Sequence, residues 1–342
     1  MRIEGCEDAG GAVPLAQQDE WKDVTPLPQD DGENPICPIA YTDEYREAMD
    51  YLRAVMAQGE VSQRALALTT RVIETNPGHY TAWAYRKRLV EELAVDIGDE
   101  LAWVSRISEM YPKNYQLWHH RESLVVRLLA PAEALRLTED QRVAHPTIRR
   151  ELQFLASAID EESKNFHAWS YRQWLVAKYG LWAQEQAFVE TMINQDVRNN
   201  SAWNQRYFVV VRGQDPSTVA LDGALVQHEI AYAVENIKFA PNNESPWSYI
   251  IGLLLRHAPP ALSAELLPRI AALAADDDYR LAMTTTPFYW SALVDIYEQQ
   301  ANAHPDRRAE LLGQARAACD SLAAEHDLIR GNYWNYRKTT LI

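Results

Sequence analysis

Lys113-Asn114-Tyr115-Gln116-Leu117-Trp118-His119-His120-Arg121 sets the frame of the whole chain. Within it, Asn114 is followed by Trp118 four residues on and by Arg121 three residues after that. The same spacing returns at Asn165, Trp169 and Arg172, and again at Asn199, Trp203 and Arg206. A fourth copy keeps Asn243 and Trp247 but carries Ile250 in the arginine place. Outer copies keep Trp83 with Arg86, and Trp334 with Arg337. Six of the eleven tryptophans share this frame, which marks a repeat protein.

Offsets of four and seven residues place side chains on one face of an α-helix. Asn at the head of such a segment is a good N-cap, because its side-chain oxygen accepts a bond from an otherwise orphan backbone N–H. Trp one turn in buries a large apolar area. Arg a further turn down reaches carbonyls or carboxylates of the adjacent helix with a planar fork. Each phrase therefore opens the second helix of a helical hairpin.

Trp83 and Trp118 stand 35 residues apart, and Trp169 and Trp203 stand 34 apart. Periods of that length belong to stacked helical hairpins, which bury a continuous core only against their neighbours. Trp118 to Trp169 is 51 residues, which predicts an inserted loop at Pro131–His145. Trp203 to Trp247 is 44 and Trp247 to Trp334 is 87, close to two lengthened repeats. Val61–Thr75, Ile97–Met110, Thr147–Ile159 and Trp182–Gln195 carry apolar residues at helical spacing and read as the first helices of the hairpins. Pro77, Pro112 and Pro241 punctuate helix ends just before a phrase. No alternating strand pattern competes, so the expected fold is all-α, a solenoid of stacked hairpins.

A chain of 342 residues with 47% apolar content has ample core, and such a solenoid counts as one domain. The net charge of −15 disfavours nucleic acid and anionic membranes as partners. Cys6, Cys37 and Cys319 form neither a disulfide framework nor a zinc spacing, so no metal is expected on this chain. The polar, acidic N-terminus does not read as a signal peptide, and no run reaches membrane-spanning length, which makes the expected location cytoplasmic. Residues 1–20 are Gly-rich and acidic and are expected to be a mobile tail. Residues 21–41 carry Pro26, Pro28, Pro35 and Pro38 and read as an extended arm, ordered by Trp21, Leu27 and Ile36. Residues 42–342 form the repeat domain, with Thr42 capping a first helix over Asp43–Ala57.

The bare sequence holds no phosphate loop, no GxSxG elbow and no HExxH. His119 and His120 are adjacent, so on a helix they point about 100° apart and do not share an ion. Two phrases still carry more polar and aromatic groups than packing needs: Lys113 to Arg121, and Lys164-Asn165-Phe166-His167-Ala168-Trp169. Each places Lys just before the cap and a ring in the first helical turn. A helix N-terminus with its partial positive charge suits an anion. Exposed Lys beside a cap is also ordinary, and spacing alone leaves both readings open.

Lys113 to Arg121 resembles the signature of the α subunit shared by protein farnesyltransferase and type I geranylgeranyltransferase. Lys164 to Trp169, continuing to Arg172-Gln173-Trp174, resembles that family's next repeat. Glu20-Trp21-Lys22-Asp23-Val24-Thr25-Pro26-Leu27-Pro28-Gln29-Asp30-Asp31-Gly32 is similar to its N-terminal segment. The resemblance runs from about Glu20 to Arg337 and is strongest before Arg206.

It implies a right-handed α–α superhelix, a crescent of TPR-like prenyltransferase repeats wrapped around a β subunit in an obligate heterodimer. The β subunit would hold the catalytic zinc, and a magnesium requirement stays open. The implied substrates are farnesyl or geranylgeranyl diphosphate and the C-terminal CaaX segments of proteins. By the same resemblance Lys113 contacts the diphosphate, Tyr115 lines the same region, and Gln116 bonds the carboxylate of the protein substrate. Asn165 and His167 lie close to diphosphate and peptide, and Tyr80 lines the pocket for the substrate's last residue. Phe166 departs from the family's usual tyrosine, which removes a hydroxyl from the diphosphate site. Two other readings share the helical repeats: the α subunit of the geranylgeranyltransferase acting on Rab proteins, and a non-catalytic TPR-like peptide adaptor.

Overall fold

A computed structural model describes residues 13–214 and 220–342 of the chain. Among these residues the fold is all helical, without a strand. The helices fall into two compact units: Met1–Ala134 with Asn165–Tyr171, and Leu135–Lys164 with Arg172–Ile342.

The first unit opens with α1 (Asp43–Ala57), α2 (Gln63–Thr75), α3 (Tyr80–Glu92), α4 (Ile97–Met110), α5 (Tyr115–Leu128) and the short α6 (Pro131–Ala134). Helices α1 to α5 each start where a side chain satisfies a free N–H group. Thr42 accepts from Tyr45 N, Ser62 from Ala65 N, and Asp96 from Asp99 N. Leu68, Val72 and Ile73 of α2 lie on one buried stripe, and α2 pairs with α3 as α4 pairs with α5.

The chain continues with α7 (Glu139–Ala144), α8 (Pro146–Glu161), α9 (Phe166–Tyr179), α10 (Trp182–Gln195), α11 (Asn200–Arg212), α12 (Gly223–Phe239) and α13 (Glu244–His257). In the second unit α10 pairs with α11 and α12 with α13. Beyond them run α14 (Pro260–Ala264), α15 (Leu266–Ala275), α16 (Arg280–Thr285), α17 (Pro287–Ala303), α18 (Arg308–Ser321) and α19 (Gly331–Thr340).

The Trp of each phrase does more than fill space. At Trp83, Trp118, Trp203 and Trp247 the indole Nε1–H donates to the carbonyl six residues earlier, in the turn before the helix. Trp83 bonds Pro77 at 2.7 Å, Trp118 bonds Pro112 at 3.0 Å, Trp203 bonds Val197 at 2.8 Å and Trp247 bonds Pro241 at 3.0 Å. Trp290 makes the same bond to Thr284 at 2.7 Å, so α17 opens a copy that falls midway between Trp247 and Trp334. The sequence hid this copy because Thr286 and Leu293 stand where Asn and Arg would be. Trp334 differs: its indole donates to the Asp327 carboxylate at 2.7 Å.

Three phrase arginines, Arg86, Arg172 and Arg206, find carboxylates on the next hairpin and are also stacked on a ring. Arg86 grips Glu100 at 2.6 and 2.7 Å and lies over Trp103, its guanidinium carbon 3.6 Å from the ring centre. Arg172 grips Glu185 at 2.8 Å over Phe188, and Arg206 grips Glu229 at 2.8 Å over Tyr232. The ring always follows the Glu by three residues, so one helical face presents both. The same Glu then accepts from a residue 20 positions on: His120 at 2.8 Å, Gln205 at 2.7 Å and Tyr249 at 2.6 Å. These buried charges are therefore paired, as burial requires, although Arg172 Nη1 and Gln205 Oε1 are buried without a hydrogen-bond partner.

Two expectations are corrected. Pro131–His145 is not a plain loop: it contains α6 and α7, the latter started by a capping box between Thr138 and Gln141. The expectation of a mobile tail over residues 1–20 is corrected for residues 13–20 alone. The first twelve residues lie outside the described residues, but from Val13 on the chain is held. Leu15 is buried, Glu47 accepts from the Leu15 and Ala16 N–H groups, and Asp19–Trp21 forms a 3-10 turn. Trp21 and Val24 are buried, with Arg64 stacked on Trp21 and bonded to Asp23 at 2.7 Å. Leu27 and Ile36 of the arm, by contrast, are exposed.

Candidate functional site

Every residue singled out for chemistry sits at the head of a hairpin's second helix. Tyr80 is the first residue of α3, Tyr115 of α5 and Phe166 of α9. The first residue of each helix points away from the packed stripe, and these three rings are 71%, 67% and 64% exposed. A large aromatic in water at three equivalent positions is unlike the buried Trp three residues further along each helix.

The caps fix the backbone beneath them. Asn114 Oδ1 accepts from Gln116 N at 2.9 Å and Leu117 N at 3.3 Å. Asn165 Oδ1 accepts from His167 N at 2.9 Å and Ala168 N at 3.3 Å. At α3 the cap is His79, whose Nδ1 accepts from Ala82 N at 3.1 Å. Burial pushes the His79 pKa down, which favours the neutral ring that this bond needs.

Two of the heads meet. The Tyr115 and His167 rings lie 4.3 Å apart, edge to face at 83°, and Phe166 packs edge-on against His167 at 5.6 Å. Lys113 is exposed, two residues before Tyr115, and Gln116 is half-buried one residue after it. Asn165 is only 2% exposed, and its amide is spent on the cap and on a bond from Nδ2 to the Pro112 carbonyl at 3.3 Å. That placement suits holding neighbours in position better than touching a ligand. Tyr80 stays apart, on α3, stacked on His79 at 6.4 Å.

His119 and His120 diverge as helical geometry demands. His119 is exposed, whereas His120 is buried against Glu100 and Trp83. A cation, a phenol, an imidazole and a carboxamide thus gather over two helix N-termini, whose dipoles add partial positive charge. The chemistry of such a set, one cation beside hydrogen-bond donors, suits an anion.

A protein of stacked helical hairpins that carries its exposed polar and aromatic groups on the heads of the second helices is a repeat scaffold with a built edge. The motif described as "Protein prenyltransferase alpha subunit repeat" matches residues 62–93, 97–128, 148–179 and 182–212. The chain is 34% identical to the protein farnesyltransferase/geranylgeranyltransferase type-1 subunit alpha of Dictyostelium discoideum, over 99% of this chain and 98% of that one. It is 37% identical to the subunit of the same description from Pisum sativum, over 96% and 95% of the two chains. Type-2 α subunits match more weakly: the mouse protein is 28% identical over 63% of this chain. Among solved structures, the Candida albicans protein geranylgeranyltransferase-I complexed with GGPP covers 96% of this chain at a TM-score of 0.75 and 29% identity. The chain belongs to the protein prenyltransferase α-subunit family, on its farnesyltransferase/geranylgeranyltransferase type-1 branch.

Proposed function

We propose that this chain is the α half of a heterodimeric CaaX protein prenyltransferase, active only with its β partner. The carrying observation is the Tyr115–His167 pair, 4.3 Å between ring centres, two residues from Lys113. In the reaction a substrate cysteine thiolate forms a bond to the allylic carbon, the carbon–oxygen bond breaks, and pyrophosphate leaves. Negative charge on the leaving group grows along that path. Lys113 and the α5 and α9 N-termini would oppose it with positive charge, an effect realised most fully in the transition state.

Tyr115 and His167 would orient and hydrogen-bond the diphosphate, Gln116 the carboxylate of the CaaX terminus, and Tyr80 would line the pocket for its last side chain. Among the described residues no group of three His, Cys, Asp or Glu is placed to hold a metal ion. On this reading zinc would be bound by the β subunit, where it would favour the substrate cysteine as thiolate, and the α chain's work is positioning and charge.

The test is prenyl transfer from farnesyl or geranylgeranyl diphosphate to a CaaX peptide, by the chain alone and by the chain co-expressed with a CaaX-type β subunit. Activity confined to the co-purified pair supports the reading. A chain that forms no complex, in a mixture that stays inactive, refutes it.

A further inference from the structure

We infer that Asn165 is a positioning residue, a single carboxamide that fixes the α5 head and the α9 head against each other. The inference rests on the transferase reading above and deepens it. Asn165 Oδ1 takes two backbone N–H groups of α9, at 2.9 and 3.3 Å, one of them that of His167 itself. Its Nδ2 donates to the Pro112 carbonyl at 3.3 Å. The same carbonyl accepts the Trp118 indole at 3.0 Å. The peptide plane that joins Pro112 to Lys113 is thus gripped from two helices, while the proline ring fixes the torsion before it.

Similar bonds recur elsewhere: Asn199 Nδ2 reaches the Ser163 carbonyl at 3.2 Å and Asn243 Nδ2 reaches Val197 at 2.7 Å. Only at Asn165 does the gripped peptide lead into Lys113 and the cap carry His167. Catalytic geometry is steep in distance, so a loosened register of these groups costs rate even when each is still present.

The experiment uses the co-purified heterodimer and three variants. Asn165→Ser keeps a capping oxygen without charge but is too short to hold Pro112. Asn165→Asp keeps the cap and adds charge. Asn243→Ser breaks the equivalent bond in the other unit. Steady-state transfer is measured together with the histidine Cε1–H resonance of His167 in the substrate-free pair, which reports ring current from Tyr115.

Asn165→Ser should lower kcat about tenfold with the peptide KM little changed, and should move the His167 resonance. Asn243→Ser should melt earlier to a similar degree, yet turn over within about twofold of the parent. Equal turnover in Asn165→Ser and the parent overturns the inference, as does an equal loss in Asn243→Ser. A loss confined to Asn165→Asp assigns the effect to charge and overturns it too. If the parent pair has no activity, the transferase reading fails, and the His167 resonance alone still decides whether the bond aligns the two heads.

Discussion

Trp118 has two jobs, and its neighbours show why both are needed. The ring packs in the core, while its Nε1–H satisfies the Pro112 carbonyl at 3.0 Å. Trp118→Ala should therefore destabilise the fold by about 3–5 kcal/mol, the usual cost of emptying a large core position. A urea titration in which the variant and the parent share a midpoint would contradict it. Lys113→Ala is the opposite kind of change, because the side chain is exposed and outside the core. It should cut kcat of the pair by about tenfold or more while leaving assembly and melting temperature near the parent's. Normal turnover would remove Lys113 from the diphosphate. The sequence named both residues but could not say which atoms were already used, as the Asn165 amide, bonded on both sides, illustrates.

At the scale of elements, the hairpins are joined by buried acids. Burial alone would push the Glu100 carboxyl up, but the His120 and Arg86 hydrogen bonds and the guanidinium charge outweigh it and hold the pKa below its ordinary 4.5. Burial also pushes His120 below its ordinary 6.5, in spite of the bond to Glu100. Both groups bind protons more readily in the unfolded chain. Their stabilisation is therefore complete above those ordinary values and is lost as the pH falls. Melting temperature should begin to drop below about pH 6.5, from His120, and more steeply below about 4.5, from Glu100. His120→Asn should flatten the slope between pH 7 and 5, and an unchanged slope there would exclude His120 as its source. The Asn, Trp and Arg frame was legible because it is periodic. The Glu with its ring three residues on was equally periodic, at Glu100 and Trp103, Glu185 and Phe188, and Glu229 and Tyr232. It went unread because one acid among 48 does not announce that it is buried.

For the molecule as a whole, the sequence declared its class through repetition and concealed its irregular parts. Trp290 lacked the Asn and Arg that mark other copies, and the polar run before His145 gave no stripe from which to read α7. No helix among the described residues is long and apolar enough to cross a membrane. Three rings at the helix heads nonetheless face water in the free chain, which fits an edge that a partner covers.

The turns before these helices use a carbonyl, and proline retains its carbonyl while giving up its N–H. Pro77, Pro112 and Pro241 occupy such places, each after a residue held away from the helical region: Asn76, Tyr111 and Ala240 at φ −138, −134 and −140° with ψ 85, 60 and 75°. Val197 holds the same place after Asp196, at φ −141 and ψ 97°, a backbone that already tolerates a following proline. Val197→Pro should raise stability by about 0.4–1 kcal/mol, because it removes freedom only from the unfolded chain. A lower melting temperature would mean that the valine N–H or side chain matters more than the stiffness gained. Punctuation of this kind could be written into every turn, so that a shuffled or shortened array of these hairpins would keep its phrasing.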